Sequence, residues 1–193
     1  ACSICPESSI SLISKCLERA HNKNISGRYL LIQAQNPDAA LQILYSHAGL
    51  DKKEVDVISG SNFPNDRGFG VICGHLRKVR LCMATDRTLV CKDLEACLEA
   101  LYDLLNQFFT QILGKRWVDI GLGNERMQCE VGDRFRVIIL AKDDQVASFP
   151  IPLLNRLEKH RLRIEDMLDA EGHEIVANLT QRLCGWQLRN LPS

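Results

Sequence analysis

The stretch FRVIIL at residues 135–140, followed after a short polar segment by FPIPLLNRLEKH at 149–160, decides how this chain folds. The first run is almost wholly apolar, as in strands that are buried on both faces of a parallel sheet. In the second, prolines punctuate a loop and then begin a short helix, which we predict over residues 151–160. A buried strand that leads through a loop into a helix favours an α/β fold with a parallel sheet.

The rest of the chain alternates between the same two kinds of element. Apolar spacing predicts a leading helix over residues 8–20 and the clearest helix over residues 94–108, which we expect to cross one face of the sheet. Paired runs that flank a glycine-rich turn predict a hairpin over residues 117–131, projecting from the sheet. Further strands are predicted at residues 29–32, 55–58, 79–83 and 88–91, and further helices at 39–48, 69–77 and 175–186.

The composition indicates a globular domain without an affinity for polyanions. The chain has 193 residues, of which 46% are apolar, enough for one sizeable α/β core and a small satellite. Lys plus Arg equals Asp plus Glu at 24 each, so we expect no nucleic-acid partner. No apolar run reaches transmembrane length, and Ala1 is not an initiator methionine, so we expect a soluble segment of a longer protein.

The nine cysteines bear on the cellular compartment and on metal binding. Most lie inside apolar runs, where a thiol behaves as a small hydrophobic group, so we predict reduced cysteines and a cytoplasmic location. Cys2 and Cys5 form half of a zinc knuckle, but no second pair at ligand spacing follows them. The sequence therefore predicts no metal site in this chain, and it leaves the role of Cys2 and Cys5 open.

A standard phosphate-binding loop is missing. Such a loop needs Gly-x-x-x-x-Gly-Lys-Ser/Thr, because the glycines let backbone amides surround phosphate, the lysine neutralises charge and the hydroxyl holds Mg²⁺. After its first strand this chain has QAQNPDAA at residues 33–40, without glycine or lysine and with an acid where phosphate would bind. The only Gly-Lys pair, Gly114-Lys115, lacks the upstream glycine. We therefore expect no nucleotide of its own.

The strand that would carry the metal-binding acids is also altered. A working strand ends in Asp-Glu, where Asp helps to hold Mg²⁺ and Glu activates water. Here residues 89–95 read LVCKDLE, so Asp93 takes the metal position as a degenerate remnant and Leu94 replaces the glutamate. The alternative is a working site built with Glu95. The strand at residues 135–140 is followed by Lys142, Asp143 and Asp144, whereas the AAA+ ATPases, which this part of the chain resembles, have a polar sensor, usually Asn, at that point.

The motif Pro-x-Leu-Leu-Asn-Arg at residues 152–156 retains chemistry that the other segments lack. It places Asn155 and Arg156 at the end of a short helix. A guanidinium stays charged and reaches phosphate oxygens through a planar fork of donors, which suits an arginine finger that serves a neighbour's nucleotide. Arg161 is a second candidate for this role. The alternative is that Arg156 only pairs with a carboxylate such as Glu158, or is simply solvated.

Several blocks together resemble the mysterin family, giant RING-type E3 ubiquitin ligases with a dynein-like core of concatenated AAA+ modules. They are spread over residues 28–164 and are specific in combination, although each is weak alone. The blocks are RYLL at 28–31, ALQIL at 40–44, GSNFP at 60–64, LYDLLNQ at 101–107, VDIGLG at 118–123 and the 149–160 stretch.

The resemblance implies an AAA+ type, P-loop-like three-layer α/β/α domain with a mostly parallel central sheet, a projecting hairpin and the start of a helical lid. Its parts would be a leading helix and linker (1–27), a degenerate AAA+ large subdomain (28–164) and the beginning of the lid (165–193).

The resemblance also implies a role. The chain would be a nucleotide-free module that presents Arg156, with Asn155 and Pro152 shaping its helix, to the ATP site of an adjacent AAA+ module of the same polypeptide. ATP and Mg²⁺ would belong to neighbouring modules. Zinc, the ubiquitin-conjugating enzyme and ubiquitin would belong to the parent protein outside this chain.

Two other functions stay open. In the first, the module binds and hydrolyses ATP through an unconventional loop that uses Lys92 or Lys142. In the second, the hairpin of residues 117–131 contacts a partner through Trp117 and Met127, or else packs against the neighbouring module.

Overall fold

A computed structural model of the chain describes residues 8–19, 27–61, 63, 68–122, 125–163 and 170–189. The chain divides into two compact units, Ala1–Leu162 and Arg163–Ser193. The first unit holds a parallel sheet and a smaller antiparallel sheet, and the described part of the second is one helix. The predicted α/β class with a mostly parallel central sheet is confirmed. No helix in the described ranges is long and apolar enough to span a membrane.

Strands and helices alternate along most of the chain, apart from the four consecutive strands β4 to β7. The strands are β1 (Leu30–Gln33), β2 (Val55–Ser59), β3 (Thr88–Lys92), β4 (Thr110–Ile112), β5 (Lys115–Leu122), β6 (Glu125–Val131), β7 (Arg136–Ala141) and β8 (Glu158–Arg161). The helices are α1 (Ser9–Arg19), α2 (Pro37–His47), α3 (Phe69–Ala84), α4 (Glu95–Leu98), α5 (Tyr102–Leu105), α6 (Asp143–Ser148), α7 (Ile151–Leu154) and α8 (Ala170–Arg189), with a 3₁₀ turn at Lys52–Glu54.

The central sheet has five parallel strands in the order β2-β3-β7-β1-β8. Every residue of the central strand β7 is buried, as the apolar run predicts. Ile138 stands between Leu30 of β1 and Val90 of β3. Because all five strands run in one direction, their carboxyl ends form one edge of the sheet and their amino ends form the other.

The predicted hairpin is present outside the central sheet and gains a third strand. β4, β5 and β6 form an antiparallel sheet in that order. Its inner face packs against α3 and α5 and belongs to the main core. The buried side chains of that face are Val118, Ile120, Cys129 and Val131.

The prediction of a strand at residues 79–83 is wrong, because these residues form the end of α3. The buried residues of this helix are Leu76, Val79, Cys82 and Met83, which recur every three or four positions, the spacing of a helix face. Five residues of which four are apolar fit either period, and here the packing of the whole 16-residue helix decides.

The continuous helix predicted over residues 94–108 is also wrong. The segment forms two single turns, α4 and α5. The carbonyl oxygen of Ala100, which an α-helix would give to Leu104, instead accepts a 3.2 Å hydrogen bond from the backbone N–H of Gly121 in β5. The hairpin therefore interrupts the helix, and Gln107, with a φ of 56°, ends the segment in the left-handed region.

The helix predicted over residues 151–160 ends after one turn, at Leu154, and residues 158–161 form the edge strand β8. The backbone N–H of Glu158 donates to the carbonyl of Tyr29 at 2.8 Å, and β8 then pairs with β1. The apolar spacing of Leu153, Leu154 and Leu157 suits a helix, but pairing with an exposed strand edge satisfies the backbone better than an isolated helix does.

Candidate functional site

The carboxyl edge of the parallel sheet is where α/β folds bind ligands, and here a short connection follows β1. β1 ends at Gln33 and α2 begins at Pro37, so three residues connect them. The Asn36 Oδ1 accepts hydrogen bonds from the N–H groups of Asp38 (3.0 Å) and Ala39 (3.1 Å). The donors at the start of α2, which bind phosphate in a P-loop, are therefore already used.

An ion pair occupies the same edge. The Lys92 ammonium, at the end of β3, pairs with the Asp38 carboxylate at the start of α2. An acid is favourable at this position, because the amino end of a helix carries a partial positive charge. Asp38 thus supplies the negative charge that a nucleotide phosphate would bring, and Lys92 neutralises it.

Asp93 lies at the predicted metal position, but its surroundings differ from a working site. Its Oδ1 accepts a 2.6 Å hydrogen bond from the Gln145 side-chain amide, whose own oxygen accepts from the Lys142 backbone N–H at 2.9 Å. Leu94, in the place of the water-activating glutamate, is only 5% exposed. The cavity beside Asp93 has a volume of about 10 Å³, enough for one water molecule. The side chain of Glu95 lies outside the described part of the chain.

The two candidate arginines lie at opposite edges of the sheet. In the pairing of β8 with β1, Arg161 is level with Gln33, at the carboxyl edge, and Glu158 is level with Leu30, at the amino edge. Four residues of strand span about 10 Å, and Arg156 precedes the strand by two more residues. Arg161 is therefore at the carboxyl edge, whereas the backbone of Arg156 lies beyond the amino end of β8.

The contacts of the two arginines also differ. The Arg161 guanidinium donates to the Asp143 carboxylate at 2.6 Å. The Cζ of Arg156 lies 3.5 Å from the ring centre of Tyr102, a cation–π contact. No hydrogen bond or ion pair of the Arg156 guanidinium is found within the described ranges. Glu158, its predicted carboxylate partner, contacts Cys16 and His160 instead.

Arg156 lines a cleft of about 530 Å³, between the segment of α4 and α5 and the segment that joins α6 to β8. Tyr102 and Glu99 form one side of the cleft, and Phe149 and Pro152 form the other. Pro150 and Pro152 stiffen this second side, since proline fixes the backbone φ angle. The half-buried Arg156 is thus held on an aromatic ring at the mouth of an opening.

The hairpin residues singled out in the sequence are not its most exposed ones. Trp117 and Met127 are half-buried, and Met127 packs against the main core. Leu113, in the turn between β4 and β5, is 98% exposed, and Phe108, just before β4, is 77% exposed.

Burial makes the inner cysteines chemically inert. Burial, together with the nearby Asp56 carboxylate, raises the pKa of the Cys82 thiol to about 12, and burial also raises the pKa of the fully enclosed Cys91. Because the thiolate is the reactive form, neither group is a nucleophile at neutral pH. No disulfide joins the cysteines whose side chains the structure describes, which are Cys16, Cys73, Cys82, Cys91, Cys97 and Cys129. Cys2 and Cys5 lie outside those residues.

One polar cluster was missed in the sequence. Cys16 of α1 meets Glu158 and His160 of β8, and one ligand atom of each lies within 4.8 Å of the other two. The residues are separated by 142 and 144 positions, so no local spacing could have revealed the cluster. Alternation along β8, which places Glu158 and His160 on the same face, was hidden by the helix prediction.

Comparison with known proteins adds a family match. A model of the RNF213 AAA domain matches residues 19–168. The human E3 ubiquitin-protein ligase RNF213 is 38% identical over 165 residues, covering 85% of this chain. The mouse RNF213 is 38% identical over 167 residues, and the zebrafish ligase rnf213-beta is 35% identical over 164 residues. The matched region spans about 3% of the length of each relative.

Proposed function

Because the chain belongs to the RNF213 AAA domain family, we propose that it is a nucleotide-free AAA module that presents Arg156 to the ATP site of an adjacent module. The coarser part, an AAA module of this ligase family, rests on the family match and the fold. Two more specific claims, that Arg156 is an arginine finger and that the module binds no nucleotide, rest on side-chain contacts at the two edges of the sheet.

The position of Arg156 carries the proposal. It lies at the amino edge of the sheet, away from the edge where the module's own nucleotide would bind. Its guanidinium stacks on Tyr102, a contact that orients the planar group and leaves the donor N–H groups for an anion. An arginine held in this way can donate hydrogen bonds to the phosphate of a nucleotide that another module binds.

The contacts at the carboxyl edge support the absence of a bound nucleotide. The Asn36 side chain accepts hydrogen bonds from the backbone N–H groups at the start of α2. Asp38 and Lys92 form an ion pair, so that protein side chains supply both the negative and the positive charge of a phosphate site. A nucleotide would have to displace these contacts without gaining a glycine loop in return. Arg161 is the second candidate finger, but its ion pair with Asp143 ties it to this same edge.

The cofactors and partners of the proposed function lie mainly outside this chain. ATP and Mg²⁺ would bind in neighbouring modules, which are the direct partners. The ubiquitin-conjugating enzyme and ubiquitin would interact with other parts of the parent ligase, in the cytoplasm. The relatives are named as ligases, and this chain corresponds to a small share of each of them.

Titration of the 193-residue chain with Mg-ATP tests the proposal that this module binds no nucleotide. We expect no binding with a Kd below about 1 mM, a free energy weaker than about −4 kcal/mol, because the cradle is absent. Isothermal titration calorimetry measures this directly. A micromolar Kd would contradict the proposal and favour the unconventional ATP site. Lys92→Ala and Lys142→Ala would then identify the lysine that contacts the phosphates.

A second candidate function is partner binding through the antiparallel sheet. The observation that favours it is the exposure of two large apolar side chains, Phe108 before the edge strand β4 and Leu113 in the turn at one end of this sheet. A photo-crosslinker in place of Leu113 would capture the protein that covers this end. Capture of only the adjacent module would reduce this function to packing within the ring.

A further inference from the structure

Cys16, Glu158 and His160 bring three different metal-binding groups together at the junction of α1 and β8. The Cys16 Sγ lies 2.9 Å from the Glu158 Oε1 and 3.6 Å from the His160 Nε2, and the last two atoms lie 3.3 Å apart. We propose that these three side chains bind a zinc ion that fastens α1 to the edge strand of the parallel sheet. This site is independent of the role proposed for Arg156.

Two of the three distances match the edges of a zinc tetrahedron, and the third is shorter. With bonds of about 2.3 Å to sulfur and about 2.0–2.2 Å to nitrogen and oxygen, tetrahedral ligand atoms lie roughly 3.3–3.6 Å apart. Two of the three observed separations fall in this range. The third, between sulfur and carboxylate, is a hydrogen bond at 2.9 Å. It must lengthen by roughly 0.6 Å when the thiol proton leaves and zinc takes its place.

α1 and β8 place the three ligands next to one another, so zinc binding needs only a small adjustment of side chains. Alternation along β8 puts Glu158 and His160 on the same face, two residues apart. α1 packs on the protein through Ile13 and Leu17, both nearly inaccessible, which directs Cys16 toward the strand. The His160 side chain is only 12% exposed, so its ring has little freedom to turn away.

The ligand set selects zinc among common divalent ions. Thiolate and imidazole are poor ligands for Mg²⁺ and Ca²⁺, which prefer oxygen, whereas zinc accepts sulfur, nitrogen and carboxylate together. Three protein ligands leave the fourth position for water. Binding requires the thiolate and a neutral imidazole with a free Nε2 lone pair, and it releases the thiol proton to solvent.

A metal at this junction would have a structural consequence. β8 is the last strand of its sheet, and its outer edge pairs with no strand within the described ranges. Another polar link of α1 to the sheet comes from the Arg136 Nη1, which donates to the Leu17 carbonyl at 2.6 Å. Zinc would add a coordinate link at the strand itself and hold the start of β8, two residues after Arg156.

Titration with cobalt and zinc tests the site in the full chain after removal of metal with a chelator. We expect one equivalent of Co²⁺ to give a near-ultraviolet thiolate-to-metal band with visible tetrahedral bands, all of which Zn²⁺ abolishes by displacement. At a free zinc concentration of 100 times Kd, the melting temperature should rise by about 5–11 °C. Amide hydrogen exchange in α1 should slow as well.

Variants locate the ligands. Cys16→Ser and His160→Ala should each weaken Co²⁺ binding by more than the ~10–100-fold loss typical of removing an outer-shell partner. Glu158→Gln is the conservative third variant. Cys73→Ser and His47→Ala are matched controls on other helices and should bind as the unchanged chain does. Circular dichroism of each variant establishes that it is folded.

Two results would overturn the zinc site. The first is the absence of a thiolate-to-cobalt band in the folded, unchanged chain at millimolar Co²⁺. The second is a band that survives Cys16→Ser but disappears when Cys2 and Cys5 are both replaced by Ser, since the amino-terminal pair would then hold the metal. Retention of the band in that double variant, with loss in Cys16→Ser, supports the proposed ligands.

Discussion

We expect Arg156→Ala to lower ATP turnover by ~10³-fold or more at the neighbouring ATP site that we propose Arg156 completes. An arginine finger stabilises negative charge that develops on the transferred phosphoryl group, so its loss affects the rate far more than nucleotide binding. The assay is steady-state ATP hydrolysis by the full parent assembly. Total turnover should fall to what the remaining sites contribute, while ATP affinity stays within a few-fold.

Three further variants make this result specific. Arg156→Lys should be nearly as impaired, because lysine keeps the charge but loses the planar fork and its stacking on Tyr102. Arg126→Ala removes an exposed arginine of β6 and should leave turnover unchanged. Arg161→Ala tests the second candidate and should have a small effect. Loss of turnover in Arg161→Ala alone would transfer the finger to the opposite edge of the sheet.

Ile138→Ala should destabilise the module by about 2–5 kcal/mol, a large part of the ~5–15 kcal/mol that stabilises a typical domain. Ile138 is fully buried in the central strand, between Leu30 and Val90, so its truncation leaves a cavity that neighbouring strands cannot fill. Chemical unfolding of the full chain, followed by circular dichroism, measures the change in the free energy of unfolding.

Ile151→Ala is the matched control for that measurement. Ile151 is 72% exposed in α7, so the same truncation removes few contacts and should change stability by less than about 0.5 kcal/mol. Equal losses in the two variants would contradict the assignment of β7 to the centre of the core.

The sequence predicted best those elements whose apolar residues follow one clear pattern or whose ends carry local signals. The apolar run of β7 has no helical alternative, since all six of its residues are buried in the structure. Asn36, Pro37 and Asp38 mark the start of α2 through capping, a proline at the first position and an acid in the first turn. Such local signals act without reference to the rest of the chain.

Two of the three errors arose where a distant strand competes for backbone groups. The backbone N–H of Gly121 donates a hydrogen bond to the carbonyl of Ala100. This contact divides a segment whose sequence has the amphipathic pattern of a single helix. The carbonyl of Tyr29 accepts a hydrogen bond from the backbone N–H of Glu158, and the second half of a predicted helix forms β8 instead. These partners are 21 and 129 positions away, and no window of local sequence contains both sides of the second pair.

The features of the candidate site also fall into two groups, those visible in local sequence and those that depend on distant strand pairing. The missing glycine loop, Leu94 and the Pro-x-Leu-Leu-Asn-Arg motif could be read from the sequence, because each is a local string. The separation of Arg156 and Arg161 onto opposite edges could not, since it depends on β8 being a strand parallel to β1. The cluster of Cys16, Glu158 and His160 depends on that strand as well.

Trapping of the transition-state mimic ADP–aluminium fluoride tests the central claim most directly. The mimic reproduces the charge of the transferred phosphoryl group, so it is retained tightly only where a finger is in place. The full parent assembly and its Arg156→Ala variant are incubated with ADP, Mg²⁺ and aluminium fluoride, and retained nucleotide is counted after gel filtration. We predict one retained nucleotide fewer per polypeptide in the variant, with unchanged binding of ADP alone. Equal retention in both proteins would contradict the claim that Arg156 serves a neighbouring ATP site.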